Sequence, residues 1–486
     1  MKTIQELINS IVVVQTIGST DKKIESICFD TREVQSSCMF IAQKGTKVDG
    51  HNFINQAIEK GAVCIVAEKL PEKLQDNITY IQVESSSYSL ALLACTFYDN
   101  PSRKLNLVGI TGTNGKTTAA TLLYRLFSEL GFKTGLLSTI ENKIGKDTIP
   151  TTHTTPDAIK INQLLSQMVK ADCEYCFMEV SSHAIVQNRI AGLEFKGGIF
   201  SNITHEHLDY HKTFKEYIAA KKLFFDHLSK TAFALSNIDD PNGKVMIQNT
   251  KAQRKTYSLQ TLDSDFKAKL NEDTLDGINL TIDNQNVWFR LVGRFNAYNL
   301  LSIYATAILL GMEKEEVLQK MSMLEPAEGR FTTIQTKGLN VVVDYAHTPD
   351  ALLNVLKTIH DIVGSEQEIV TVVGCGGDRD RSKRPEMAAI ACKLSDKAIF
   401  TSDNPRTENP YAILEDMQKG ITVENQHKVL VIEDRRQAIK TAILTAKPKS
   451  IILIAGKGHE KYQEINGIKY DFDDMKIAKE YLEILK

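Results

Sequence analysis

The spacing of apolar positions changes along the chain, and the changes divide it. Through the first hundred residues, short apolar runs such as Cys38 to Ala42 and Ala62 to Ala67 alternate with polar turns and a helix-like stretch around Asn52 to Lys60. This predicts a small α/β domain. From Leu105 the apolar runs become unbroken, LNLVGI and then TGLLS, with the helically periodic AATLLYRLFSELG between them and Gly131 placed to end that helix. Such alternation predicts a parallel sheet covered by helices. Residues from about 231 to 290 are more polar and strand-like, so an insertion or a β-edge is expected there. After Arg330 the alternation resumes with NVVVDY, a helix from about Pro349, EIVTVVG, a helix after Arg384, KAIFTSD, another helix, SIILIAG and a final helix. The expectation is an α/β protein of three domains: a small N-terminal α/β domain over 1–100, a central domain with a parallel sheet over 101–330, and a C-terminal Rossmann-like domain over 331–486.

Composition adds limits. With 486 residues, 42% hydrophobic and 24% charged, the chain is too long for a single core. A formal net charge of -2 gives no global attraction to nucleic acid or an anionic membrane, so any phosphate binding must be local. The N-terminal MKTIQELINSIVVV lacks the form of a secretory signal, and no run reaches the roughly 18 to 20 apolar residues of a membrane helix. Eight scattered cysteines read as reduced thiols, so a cytoplasmic location is expected. Cys173 and Cys176 form a lone CxxC with no second pair, read here as structural.

The strongest local signal is GITGTNGKTT. A strand closing at Gly109 and Ile110, a glycine loop, Lys116, and a helix opening at Thr117 and Thr118 make the P-loop arrangement, which points to a nucleotide phosphate and not, by itself, to a particular chemistry. Its spacing departs from the strict form, whose first glycine would fall on Ile110. Loop N–H groups of Gly112, Thr113, Asn114 and Gly115 can approach phosphate oxygens, Lys116 can reach the β- and γ-phosphates, and the Thr117 hydroxyl can ligate Mg²⁺. Further on, CFMEVSSHA ends an apolar strand in Glu179, where such a protein places an acidic Mg²⁺ ligand. NITHEHLDYH then carries His205, His207 and His211, whose spacing matches no zinc signature; His207 is favoured for a nucleotide-bound metal. GCGGDRD at 374 to 380 has Arg379 where a dinucleotide fingerprint needs glycine, which argues against a redox cofactor and for a close-approach loop facing a ligand.

With the loop, Glu179 and the histidine run in this order, the chain resembles the Mur ligases, in particular those adding the third residue of the peptidoglycan stem peptide. FDTREV, TGTNGKTT, HTTPD, MEVSSHAIVQNR, NITHEHLDYH, YIAAKKLF, GRFNAYN, EGRF, VDYAHTPDAL, GCGGDRDRSKRP, DNPRTENP and AGKGHE carry the resemblance along the whole chain. It implies an N-terminal domain for the uridine nucleotide, a central ATPase domain, and a C-terminal domain that closes over ATP and brings the amino acid. ATP and Mg²⁺ are then expected, with an acyl phosphate formed on the terminal carboxylate of a UDP-linked muramoyl dipeptide and attacked by the incoming amine.

Residue by residue, the resemblance places Lys116, Glu179, His207 and Lys221 at the reacting centre. Thr117, Glu179, His207 and a carbamylated Lys221 would be metal ligands, with Lys222 a solvated helix lysine. Gly112, Thr113, Asn114, Gly115, Lys116, Thr117, Thr118, Asn299, Arg330, Asp344 and His347 would hold ATP. Thr31, Arg32, Thr154, Thr155, Ser181, Gln187 and Arg189 would hold the UDP-muramoyl dipeptide. Arg384, Asp403, Asn404, Pro405, Arg406, Gly456 and Glu460 would choose the amino acid. The DNPR run accompanies meso-diaminopimelate in this family, and a guanidinium suits its distal carboxylate, which lysine lacks. A lysine-adding ligase, a folylpolyglutamate-synthase-like ligase and a P-loop switch protein are the alternatives. Only small-molecule partners are expected, with no nucleic acid and no membrane insertion, for a monomer.

Overall fold

The computed structural model describes residues 1–45, 48–151, 153–204, 208–336, 338–363 and 367–485. Three separate mixed sheets carry the chain. In the N-terminal sheet the strands run in the order Gln15–Ile17, Thr79–Gln82, Ala62–Ala67, Cys38–Ile41, Ser26–Cys28, all parallel except the first pair. Helix Ser86–Phe97 covers it, burying Leu90, Ala91, Leu93 and Ala94 against Met39, Ile41, Val66 and Ile81.

The central sheet has eleven strands, and its parallel core places Thr134–Leu137, Tyr175–Glu179, Asn106–Thr111, Gly197–Phe200 and Phe233–Asn237 side by side. The strand-like stretch expected near 231 to 290 extends this sheet at its edge as Gln253–Ser258, Phe266–Thr274, Gly277–Ile282 and Gln285–Phe289. Helix Lys116–Glu129 packs on this sheet beside helix Arg294–Leu309 and is buried along most of its length, its threonines included. It ends as Gly131 implies: at φ 93° that glycine donates to Ser128 O, and Phe132 N–H donates to Phe127 O, with the two phenyl rings in contact. Cys173 and Cys176 pack beneath helix Ala158–Lys170, and burial raises both thiols.

In the C-terminal sheet the order is Thr332–Thr336, Leu339–Asp344, Ile451–Ala455, Ile369–Val373, Lys397–Phe400, Val429–Val431. Only the first pair is antiparallel. The last long strand is inserted between the first two of the parallel set, so strand order reverses beside it. An open α/β sheet offers its ligand crevice at such a point, at the carboxyl ends of its strands. Two features of this domain lie outside the sequence expectation: strand Val429–Val431, whose Leu430 and Val431 are partly exposed, and the hairpin Tyr462–Ile465 with Ile468–Asp471. The hairpin lacks the run of apolar residues that marks a buried strand, whereas Val429 to Ile432 is such a run, a short one at the sheet's edge. Among the described residues no helix is long and apolar enough to cross a membrane.

Candidate active site

Three neighbouring central strands deliver the phosphate site. Glu179 is level with Ile110 on one side of the loop strand, and Phe200 is level with Thr111 on the other. The carboxyl ends of all three therefore meet at the N-terminus of helix Lys116–Glu129. Gly115 caps that helix at φ 87°, a conformation costly for other residues, and a Cβ there would stand 2.5 Å from Asn299 Oδ1. Asn299, on the covering helix, thus packs directly on the loop. The loop's back is tied down by Asn202 and Ser201: Asn114 N–H donates to Asn202 Oδ1 at 2.9 Å, and Ser201 Oγ donates to Asn114 O at 2.6 Å.

Lys116 Nζ donates to Gly112 O and Thr113 O, each at 2.8 Å. Lys221 Nζ, on helix Phe214–Asp226, donates to the same Gly112 O at 2.8 Å and lies 4.7 Å from the Tyr217 ring. Two lysines far apart in sequence thus share one loop carbonyl. Lys221 is buried, whereas its neighbour Lys222 is half-buried and pairs with Asp226.

Glu179 is fully buried and accepts from Thr117 Oγ1 at 3.0 Å, Thr139 N–H at 2.7 Å and Thr139 Oγ1 at 3.1 Å. Among the described residues no lysine or arginine pairs with it. A buried carboxylate surrounded by hydroxyls and lacking a fixed cation suits a hard divalent ion, and this donor set fits Mg²⁺. His205 and His207 lie outside the described residues. His211 shares a hydrogen bond of 2.9 Å with Ser182 Oγ and packs against His183 and Tyr217.

The C-terminal domain closes the site from above. Arg330 Nη2 donates to Thr117 Oγ1 at 3.1 Å while its guanidinium lies 4.7 Å from the Tyr345 ring. Asp350, opening helix Pro349–Val363, accepts from Asn114 Nδ2 at 3.0 Å and Thr204 Oγ1 at 2.8 Å. Asp344 braces a turn by accepting from Phe331 and Ala346 N–H, and burial raises its carboxyl above the usual range. His347 is exposed beside Tyr345. On the other flank Thr154 accepts from Thr139 Oγ1, and Thr155 bridges Glu179 O and Ser181 N–H. Arg189 donates to Thr155 O and to Gln187 Oε1. Thr31 and Arg32 stand apart from this group in the N-terminal domain, Thr31 on Gln56 and the exposed Arg32 on Asp30.

A second group forms where strands Ile369–Val373, Lys397–Phe400 and Ile451–Ala455 end together. Asp403 and Asn404 are buried, with Gly456 beside Asp403 and Glu460 accepting from Asn404 Nδ2 at 2.7 Å. Arg406 adopts φ 51°, donates from Nη1 to Gly377 O at 2.8 Å, and lies 3.5 Å from Glu464 of the hairpin. Backbone bonds from Arg406 N–H to Glu464 O and from Asn466 N–H to Arg406 O lock that hairpin to the arginine. Of the GCGG glycines, Gly374 and Gly377 face backbone of the neighbouring strand end and Gly376 faces the Arg406 guanidinium. A Cβ on Gly377 would stand 1.9 Å from Pro405 O, so the glycine admits the DNPR backbone. Arg384 is buried under the loop, held by Glu408 and Asp416, and the Arg384 guanidinium holds the Glu408 carboxyl down at about 2. Arg384 thus braces the loop from beneath.

Sequence reasoning passed over Lys457, Asp350, Glu464, Tyr345 and His459. All but Glu464 lie inside motifs already singled out, AGKGHE and VDYAHTPDAL.

Comparison with known proteins agrees with the geometry. Three family descriptions match the chain in order: "Mur ligase family, catalytic domain" over residues 23–98, "Mur ligase middle domain" over 110–307, and "Mur ligase, glutamate ligase domain" over 329–458. The chain belongs to the Mur ligase family and is an ATP-dependent, Mg²⁺-using ligase that forms amide bonds. More particularly, it is 57% identical over 484 residues, 99% of either chain, to the UDP-N-acetylmuramoyl-L-alanyl-D-glutamate--2,6-diaminopimelate ligase of Cytophaga hutchinsonii. The ligase of the same name from Phocaeicola vulgatus is 53% identical over 478 residues, 98% of this chain and 99% of that one. A solved structure of a ligase so named matches 100% of this chain and 99% of its own at 32% identity, with a TM-score of 0.70.

Proposed function

We propose that the protein adds meso-2,6-diaminopimelate to UDP-N-acetylmuramoyl-L-alanyl-D-glutamate, with ATP hydrolysed to ADP and phosphate, for peptidoglycan synthesis. The observation that carries the choice of amino acid is Arg406, held by the Gly377 carbonyl and the hairpin, with its guanidinium beside the Glu464 carboxylate. The distal carbon of diaminopimelate bears both a carboxylate and an ammonium group. A guanidinium beside a carboxylate matches that pair, and lysine, which has no distal carboxylate, would forgo the contact with Arg406.

The chemistry follows from the two groups. A carboxylate is a poor electrophile, so the dipeptide's terminal carboxylate first attacks the γ-phosphorus of ATP, and ADP leaves with the bridging oxygen. The loop N–H groups and Lys116 stabilise the charge on the transferred phosphoryl group, and Arg330, at the boundary with the C-terminal domain, adds a cation. Thr117 and Glu179, with His207 and a carbamylated Lys221, would hold Mg²⁺, which when bound neutralises phosphate charge. The amine then attacks the acyl carbon, and collapse of the tetrahedral adduct expels phosphate and leaves the amide. Thr154, Thr155, Ser181, Gln187 and Arg189 line the flank that would receive the dipeptide, and Thr31 and Arg32 the uridine end. Arg384, committed to Glu408 and Asp416, holds the amino-acid loop from beneath. The division of labour follows domains 1–100, 101–330 and 331–486, in a cytoplasmic monomer.

The test is phosphate release from ATP with the UDP-muramoyl dipeptide present, comparing meso-diaminopimelate, L-lysine and no amino acid. Release and a tripeptide product with diaminopimelate alone support the reading. Release indifferent to both substrates would overturn it in favour of a switch protein.

A further inference from the structure

Lys457 is a fully buried lysine at the centre of the amino-acid group. Its ammonium has three protons to donate and three acceptors around it: Asn404 Oδ1 at 2.9 Å, Glu460 Oε2 at 3.2 Å and Asp403 Oδ1 at 3.4 Å. These acceptors come from two segments more than fifty residues apart, DNPR and GKGHE. Asn404 completes the link by donating to the same Glu460 oxygen at 2.7 Å and accepting from Glu464 N–H of the hairpin at 2.9 Å. Among the described residues no other side chain hydrogen-bonds to all three groups. Two other buried cations of this region are already matched, Arg435 bidentately by Asp474 and Arg384 by Glu408 and Asp416.

The charges are unequal in a way that bears on the ligand. Asp403 and Glu460 carry two formal negative charges against the single ammonium of Lys457. Low-dielectric surroundings make such an imbalance costly unless a further cation arrives. A diamino acid brings one.

Resting on the function proposed above, we infer that Lys457 is a positioning residue of the amino-acid site, fixing Asn404 and Glu460 in place and leaving the cluster one negative charge in excess to receive an ammonium group of the substrate. It acts through its neighbours, whose geometry must be held within about half an ångström to grip a ligand.

The test is Lys457→Met in the full chain, measured in two ways. Steady-state kinetics should show the KM for meso-diaminopimelate raised at least about tenfold, with the KM values for ATP and the UDP-muramoyl dipeptide within about twofold. Positional isotope exchange in ATP, run with the UDP-muramoyl dipeptide and no amino acid, should persist, because acyl-phosphate formation does not need this cluster. Lys457→Gln, which keeps donors at the site, should fall between the variant and the wild type. An unchanged KM for diaminopimelate, or loss of exchange in parallel with ligation, overturns the inference. So does failure of both variants to fold, which would assign Lys457 to the core alone. Wild-type protein that ignores diaminopimelate would instead defeat the functional reading itself.

Discussion

The phosphate loop and the amino-acid cradle both sit at the carboxyl ends of parallel strands, yet they are built in opposite ways. The phosphate loop is one continuous strand, turn and helix, and ten consecutive residues supply its backbone donors, its lysine and its hydroxyl. The cradle has no such unit. Three strand ends and a hairpin supply Gly377, Asp403 to Arg406, Lys457 to Glu460, and Glu464, joined by hydrogen bonds that span tens of residues. A site of the first kind fixes the reaction type, and a site of the second kind can change its ligand through one strand end without disturbing the rest.

Breaking the phosphate side should cost most. Lys116→Ala should lower ligation roughly 10³-fold or more and abolish exchange in ATP as well, since charge on the transferred phosphoryl group loses its nearest cation. Retained exchange would show that the loop works without it. Lys221→Ala should come next, with ligation reduced on the order of 10²-fold and partly restored by added bicarbonate or a short carboxylate, which can take the place of a carbamate ligand. Full activity in that variant would defeat the carbamate. These two separate the lysines that share Gly112 O.

On the cradle's side the expected effects are smaller and fall on one substrate. His459 bears on stability rather than on a substrate: its ring is held neutral by burial, its pKa lowered to about 3 from an ordinary 6.5. Its Nδ1 has no hydrogen-bond partner among the described residues, which agrees with a desolvated ring. Because the folded value lies below the unfolded one, the stability tied to the neutral ring is complete above pH 6.5. It is lost as pH falls toward 3, at up to ~1.4 kcal/mol per pH unit. His459→Gln should therefore flatten the fall of Tm between pH 6.5 and 4.5, measured against wild type by thermal denaturation. Parallel curves would contradict a buried neutral histidine.

The two regions also differ in how far they could be read from sequence. Strand, glycine turn, lysine and helix follow one another in the chain, so local chemistry identified Gly115, Lys116 and Thr117 together, and the structure brings them together with Glu179, Asn299 and Arg330. Long-range contacts leave no such trace. The glycines of GCGG suggested a ligand because close approach is all that a glycine reports; only the fold reveals Pro405 as the neighbour. Arg384 and Arg406 look equivalent in sequence, and Glu408 with Asp416 below one and the hairpin beside the other set them apart. Lys457 lay unmarked between Gly456 and Glu460 because a lysine flanked by glycines reads as a surface residue. The hairpin, nearly all of it half-buried or exposed, had no apolar pattern to find.

The central claim is that Arg406 makes this ligase choose diaminopimelate, and a competition assay tests it most directly. ATP and the UDP-muramoyl dipeptide are supplied with equimolar meso-diaminopimelate and L-lysine, and the products of wild type and Arg406→Ala are weighed by mass spectrometry. The wild type should make the diaminopimelate product almost alone. The variant should lose about 100-fold of that preference, ~2.7 kcal/mol, with its KM for ATP unchanged within about twofold. A wild type that incorporates lysine equally, or a variant that keeps full preference, would contradict the account.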